Sequence, residues 1–353
     1  MEKVVSEMKK CLATILAGIL VLALVAGCSS TPQSSSKEPA KESQASQASQ
    51  APASQAPAAQ TKDTYRVAYI ARAQADSFAA WLANAIRDEA AKYDNIKLDV
   101  FDGEANDEKE NSLIENAITN KYDLIIVQPN NGEAQRPYVE KILQAGIFAI
   151  TTNARIDNIP GSSSVDANPY EQAAVNARLA LEQIPQNAKV VVLNGPSGNF
   201  HADARRESWQ KEFFDKRPDV TIVGEQIANW NKDEAMKYME DWVQSNDQID
   251  AVISMNDNMA AGALEVVKDN PKFDNLLVYG VDGTAEALLL IKEGRMTATC
   301  MQSAYDLATL LLDTANKLLT GQEKEINVDI DNPLITKDNV DQYIEILKKA
   351  GAL

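Results

Sequence analysis

The sequence predicts an α/β fold of two Rossmann-like, doubly wound parallel-sheet domains, and three observations carry that prediction. From Tyr65 onward, short apolar runs alternate with longer amphipathic ones. The short runs are nearly continuously apolar, as strands covered on both faces are, and the βαβ alternation favours parallel pairing. A polar stretch, "IDNIPGSSSVDANPYEQ" (156–172), divides the series in its middle. Two sheets therefore fit better than one.

The strand candidates of the first half are "YRVAYIA" (65–71), "IKLDVFD" (96–102), "YDLIIVQP" (122–129) and "FAITTN" (148–153). Those of the second half are "KVVVLNG" (189–195), "VTIVGEQI" (220–227), "DAVISM" (250–255), "LLVYGVD" (276–282) and "MTATCMQ" (296–302). Helix-period segments lie between them. In "SFAAWLANAIRDEAAKY", for instance, Phe78, Trp81, Leu82, Ala85, Ile86 and Ala90 share one face.

The first sixty residues read differently. Lys9 and Lys10 precede an apolar run from Leu12 to Gly27, which closes in Val25-Ala26-Gly27-Cys28. A charged start, a short apolar run and a small-residue site describe a secretory signal rather than a membrane span. The site resembles a bacterial lipobox, which makes 1–27 a lipoprotein signal peptide and Cys28 the lipidated first residue; plain secretion is the alternative. Glu2 and Glu7 are unusual in such a leader, so Met8 competes with Met1 as the start. Residues 28–63 are mostly Ser, Gln, Ala, Pro and Lys with no aromatic residue. Such a segment cannot bury enough apolar surface to order itself, so a disordered tether spanning roughly 30 Å is expected.

Cys11 leaves with the signal and Cys28 is committed to lipid, so Cys300 stands alone as a small core residue and no intramolecular disulfide forms. A formal charge of −17 argues against nucleic acid as a partner.

In open parallel sheets, ligands bind at the carboxyl ends of the strands. That rule selects Asp76 after the first strand and Asn153 at the end of the fourth. In the second half it selects His201 and Asp203, Trp230, Asn256 and Asp257, Asp282, and Gln302. Carboxylates accept from neighbouring hydroxyls, amides donate and accept, and arginine donates in a rigid fork, a set suited to a polyol. Phe78 and Trp230 offer flat faces to the C–H side of a sugar ring. His201 is the only histidine and has no paired cysteines near it, which argues against zinc; no cofactor is expected. "NGPSG" lacks the Lys-Ser/Thr of a phosphate loop. Structural roles stay open at these positions: Asp76 and Asn256 can cap helices, Trp230 can anchor a loop, and Asp282 can hold a turn.

With these residues in place, the chain resembles the type I periplasmic sugar-binding proteins, the ribose/galactose group of ABC-transporter receptors, over roughly 64–340. It is most similar to the galactose/glucose-binding branch. "DSF" supplies Asp76 and Phe78, and "HADARR" supplies His201, Asp203 and either Arg205 or Arg206. Asn153, Trp230 in "NWNKDEA", Asn256 and the Asp282 of "VDG" complete the pattern. Gln302 stands where the galactose branch has Asn and the ribose branch has Gln, and "EQIPQNAKV" offers no counterpart of a calcium loop.

The resemblance implies two domains, 64–166 plus 303–331 and 167–302 plus 332–353, joined by crossovers near Asp166, Gln302 and Asp331. It implies no enzymatic activity. The expected protein is a receptor tethered outside the cell membrane, of the Gram-positive kind, through Cys28. It would close on a monosaccharide, galactose- or glucose-like, and deliver it to an ABC permease driven by a cytoplasmic ATPase. Two rivals remain: a sensor presenting ligand to a membrane receptor or kinase, and a glycosidase using two of Asp76, Asp203 and Asp282. A LacI-type regulator of the same fold is not expected, given the export signal and no helix-turn-helix before residue 64.

Overall fold

The computed structural model describes residues 62–353. The expected signal peptide, Cys28 and all but the end of the tether lie outside the described residues. The first sheet holds β1 (Tyr65–Ala71), β2 (Ile96–Asp102), β3 (Leu124–Val127), β4 (Phe148–Thr151), β5 (Ser163–Ala167) and β11 (Asn327–Ile330), in the order β11-β5-β4-β3-β1-β2. All of its pairings are parallel. With it run helices α1 (Ser77–Ala90), α2 (Asp107–Thr119) and α3 (Gly132–Gln144).

The second sheet holds β6 (Lys189–Asn194), β7 (Thr221–Ile227), β8 (Ala251–Ser254), β9 (Leu277–Asp282), β10 (Ala298–Met301) and β12 (Leu334–Thr336), ordered β12-β10-β9-β8-β6-β7. It is parallel except for β12, which runs antiparallel to β10. The remaining helices are α4 (Pro169–Gln183), α5 (Phe200–Glu212), α6 (Lys232–Ser245), α7 (Asp257–Val267), α8 (Ala285–Glu293), α9 (Ala304–Leu319) and α10 (Val340–Lys349).

Strand period and double coverage explain the first core. Tyr65, Val67, Tyr69 and Ala71 of β1 join a cluster with α1 and α9 on one face, through Leu82, Ile86, Leu307 and Leu311. Ala68 and Ile70, pointing the other way, join Ile114 of α2 and Val139 and Ile142 of α3. Alternate residues of one apolar run thus fill two different cores, which is why the run carries no polar alternation.

Three strands differ from the sequence expectation. β5 lies within the stretch read as a polar break, and all five of its residues are buried. Its polar groups are satisfied individually: Ser163 Oγ accepts from the Ile326 amide (3.0 Å), and Asp166 accepts from the Asn153 and Arg155 amides (3.2 and 2.8 Å). β11 (four residues) and β12 (three residues) lie at the sheet edges and are too short for a hydrophobic period to mark them.

The chain crosses between the sheets three times: between Ala167 and α4, which packs on β9 and β10; between Met301 and α9, which packs on β4 and β5; and between Ile330 and Leu334. Loops of the two lobes also touch directly. Gly132 N donates to Gly198 O (3.2 Å), and Asn199 Nδ2 donates to the carbonyls of Pro129 (3.4 Å) and Asn130 (3.2 Å). Gly198 is held at φ 77°, and a Cβ there would crowd the Asn131 side chain at 3.1–3.3 Å, so the close approach requires glycine.

Candidate functional site

The carboxyl ends of both sheets face each other across a narrow cleft. The first lobe contributes Arg72, Asp76, Phe78 and Asn153; the second contributes Asn199, His201, Arg205, Trp230, Asn256 and Asp282. Gln302 enters from the crossover after β10.

Several of these residues are helix caps as well as cleft residues. Asp76 Oδ1 accepts from the Ala79 amide (2.9 Å) at the start of α1, while its Oδ2 pairs with Arg72 Nη2 at 2.6 Å. Asn256 Oδ1 caps α7 through the Met259 amide (2.9 Å), and Asn199 Oδ1 caps α5 through the amides of His201 and Ala202. Each is a residue that satisfies an orphan amide at a helix start. Because βα loops carry these starts to the sheet rim, capping and cleft lining fall on the same residues.

Three cleft residues hold backbone conformations that L-residues seldom adopt: Asn153 (φ 42°), Trp230 (φ 61°) and Asp282 (φ 130°). Such conformations persist where surrounding structure over-determines them, and they gather at binding sites. The Trp230 carbonyl is held by Asn258 Nδ2 at 2.8 Å. A Cβ on Gly195 would overlap the Trp230 ring, so the glycine of "NGPSG" serves an indole rather than a phosphate.

The expected site residues are not all brought together. Asp203 is exposed and does not line the cleft. Arg206 points away from it and pairs with Glu225 of β7, Nε–Oε1 2.7 Å and Nη2–Oε2 3.2 Å. The cause is helical phase: on α5, Arg205 follows His201 by four residues and shares its face, whereas Asp203 lies about 200° around the helix. Asp257, first residue of α7, is buried beneath the cleft, accepting from Thr299 Oγ1 (2.6 Å) and the Thr284 amide (2.9 Å). Burial pushes its carboxyl up to about 7. Two lining residues escaped sequence reasoning. Arg72 is the residue immediately after β1, and Asn199 is the cap just before α5; the strand-end rule, applied one residue at a time, reaches the first of them.

His201 bridges the lobes. Its Nε2 lies 2.9 Å from Asp166 Oδ1, and its Nδ1 is 3.2 Å from Arg205 Nη2. Arginine can only donate, so Nδ1 accepts and the ring proton sits on Nε2. Burial drives the imidazole below its ordinary value despite the neighbouring Asp166, which leaves it neutral. Burial alone would raise Asp166, yet His201 and the amides of Arg155 and Ala167 hold its carboxyl below the usual range. Both ring nitrogens are thus engaged by protein. Asp282 is pushed well above the carboxylate range by burial, opposed by Arg205 at 3.8 Å. Arg205 also lies 5.5 Å from the Trp230 ring centroid. Every ionisable group lining the cleft is therefore already paired within the protein, an arrangement for holding a polar molecule by hydrogen bonds and ring faces.

Residues 67–323 match the family model described as periplasmic binding protein domain. The chain is 32% identical over 275 residues to a D-apiose import binding protein of Paraburkholderia graminis, covering 76% of this chain and 83% of that one. It is 29% identical over 260 residues to a xylitol-binding protein of Mycolicibacterium smegmatis, covering 73% and 74%. An ABC transporter solute binding protein from Bacillus halodurans C-125, solved with bound myo-inositol, superposes with a TM-score of 0.74 at 24% identity over 81% of this chain and 99% of that one. At that identity the likeness is one of fold. The two sequence relatives are binding proteins, not enzymes.

Proposed function

We propose, for a chain that belongs to the periplasmic binding protein domain family, that it is an extracytoplasmic receptor that holds a monosaccharide between its lobes and delivers it to an ABC permease with a cytoplasmic ATPase. The observation that carries this reading is the cleft itself, where Phe78 and Trp230 bring ring faces to a network of amides, carboxylates and arginines. That combination matches the alternating C–H and hydroxyl faces of a sugar ring. Segments 64–166 plus 303–331 and 167–302 plus 332–353 act as two hinged lobes, and ligand shifts the population toward the closed form that the permease recognises. Lipid on Cys28 and the tether after it keep the receptor at the outer face of the membrane.

Within the sugar class, the sequence pattern puts a galactose- or glucose-like hexose first. Relatives that take D-apiose and xylitol place pentoses and pentitols beside it. Calorimetric titration with galactose, glucose, allose, ribose, xylose, arabinose, apiose, xylitol and inositol tests the reading. One compound of this panel is expected to bind at micromolar Kd or tighter; if none binds tighter than millimolar, the receptor reading is wrong.

A further inference from the structure

Asn153 and Gln302 face the cleft with amides, and an amide offers a donor at one end and an acceptor at the other. Which end meets a ligand depends on what holds the group from behind. In the first lobe the Arg72 backbone amide (3.1 Å) and the Tyr69 hydroxyl (2.9 Å) both converge on Gln128 Oε1. Gln128 Nε2 therefore points at Asn153 Oδ1 (2.8 Å), and Asn153 Nδ2 donates to Gln302 Oε1 (3.0 Å).

In the second lobe Arg205 Nε (3.1 Å) and Nη2 (2.8 Å) both donate to Gln172 Oε1. Gln172 Nε2 then donates to the same Gln302 Oε1 (3.2 Å), and Gln302 Nε2 donates to Asp282 Oδ1 (2.6 Å). A backbone N–H and a guanidinium have no acceptor, so neither chain of amides can be turned over without breaking its first link. Gln128 and Gln172 are fully buried, and neither lines the cleft.

We propose that Gln128 and Gln172 are positioning residues that set the hydrogen-bond polarity of the cleft, and through it which pattern of hydroxyls the cleft accepts. The two relays end on one atom, Gln302 Oε1, whose two lone pairs are filled by one donor from each lobe. Gln302 consequently meets a ligand only as a donor, through the second hydrogen of Nε2. Asn153 keeps one lone pair and one hydrogen free and meets it in both senses. The relay rests on the sugar-receptor reading for its purpose, but its existence is readable without ligand.

The test compares wild type with Gln172→Glu and Gln128→Met. A carboxylate at position 172 still accepts from Arg205 but can no longer donate to Gln302, so Gln302 Oε1 loses one of its two donors and faces a carboxylate, while Asn153 and Asp282 still hold the sense of the amide. Methionine at position 128 removes the link to Asn153. Calorimetry against the tightest-binding sugar and its epimers and deoxy analogues should show discrimination falling by roughly tenfold or more, the scale of one buried polar mismatch. In ligand-free protein, the side-chain amide resonances of Asn153 and Gln302 in 15N–1H spectra should move in the variants.

A packing role alone would weaken all ligands by one common factor and leave the amide resonances in place, and either result overturns the relay. Should wild type bind no sugar, the receptor reading falls, and the amide resonances still decide whether the relay exists. Gln128→Glu, close to isosteric and likewise unable to donate, replaces Gln128→Met if that variant does not fold.

Discussion

Adjacent arginines on α5 have opposite fates, and the contrast is measurable. Arg205 is buried in the cleft with its donors on Gln172, His201 and the Met255 carbonyl, whereas Arg206 holds Glu225 at the partly exposed flank. Lysine cannot reproduce the planar fork. Arg205→Lys should weaken sugar binding by roughly 1–3 kcal/mol, the scale of leaving buried partners unpaired. Arg206→Lys should change it by less than about 0.5 kcal/mol. Equal effects in titration calorimetry would contradict this assignment. Trp230→Ala, which removes an aromatic face, should likewise cost on the order of 1–3 kcal/mol of binding and abolish the ligand-induced change in tryptophan fluorescence.

The same α5 shows how far single residues were legible. His201, Asp76, Asn256 and Asp282 fall in the cleft because strand ends are readable from apolar runs. Asp203 was misplaced because its position depends on helical phase, which the strand-end rule ignores. The positive φ values of Asn153, Trp230 and Asp282 leave no trace in composition at all.

At the scale of elements, most legible strands are apolar on both sides, and the half-exposed edge strands β2 and β7 were long enough to be read as well. β5 escaped because its buried polar atoms are satisfied one by one, by partners far along the chain such as Ile326 and His201. Pairwise satisfaction of that kind has no local period. Glu110 on α2 is a second buried polar group of this sort. Its Oε2 accepts from the Asn130 amide (3.1 Å), while Asn130 Nδ2 donates to Asp107 (2.7 Å). Together they shape the loop that meets Asn199. Glu110 Oε1 is buried without a partner.

Burial pushes the Glu110 carboxyl up from 4.5 to about 8. Between those values the folded protein keeps a proton that the unfolded chain releases, so this group's contribution to stability falls as pH rises from about 4.5 to about 8. Glu110→Gln removes that dependence. Urea denaturation should show the variant gaining stability over wild type at pH 8 and little difference at pH 4.5. A gain that is the same at both pH values would show that Glu110 does not titrate in this range.

Across the whole molecule, the two lobes are held together by contacts that involve no ligand: Asn199 on two carbonyls, Gly132 on Gly198, and His201 on Asp166. Asn199→Asp separates this bridge from helix capping. A carboxylate still accepts from the amides of His201 and Ala202, but it loses the donor and sets charge against the carbonyls of Pro129 and Asn130. Distance distributions between spin labels on the two lobes should shift toward a wider separation in the ligand-free variant, with its melting temperature little changed. An unaltered distribution would mean that this bridge does not set the resting conformation.

The passage from β11 to β12 has a further consequence, for the chain as it is being made. The first sheet's outer strand ends at Ile330, and the second sheet's antiparallel strand begins only at Leu334, followed by α10 to Lys349. Neither lobe is a contiguous fragment, and both await the last few dozen residues before their edges are complete. A ribosome releasing this polypeptide from its N-terminus therefore delivers two unfinished halves until translation is nearly over. A stop codon near residue 325 would therefore cripple both halves at once.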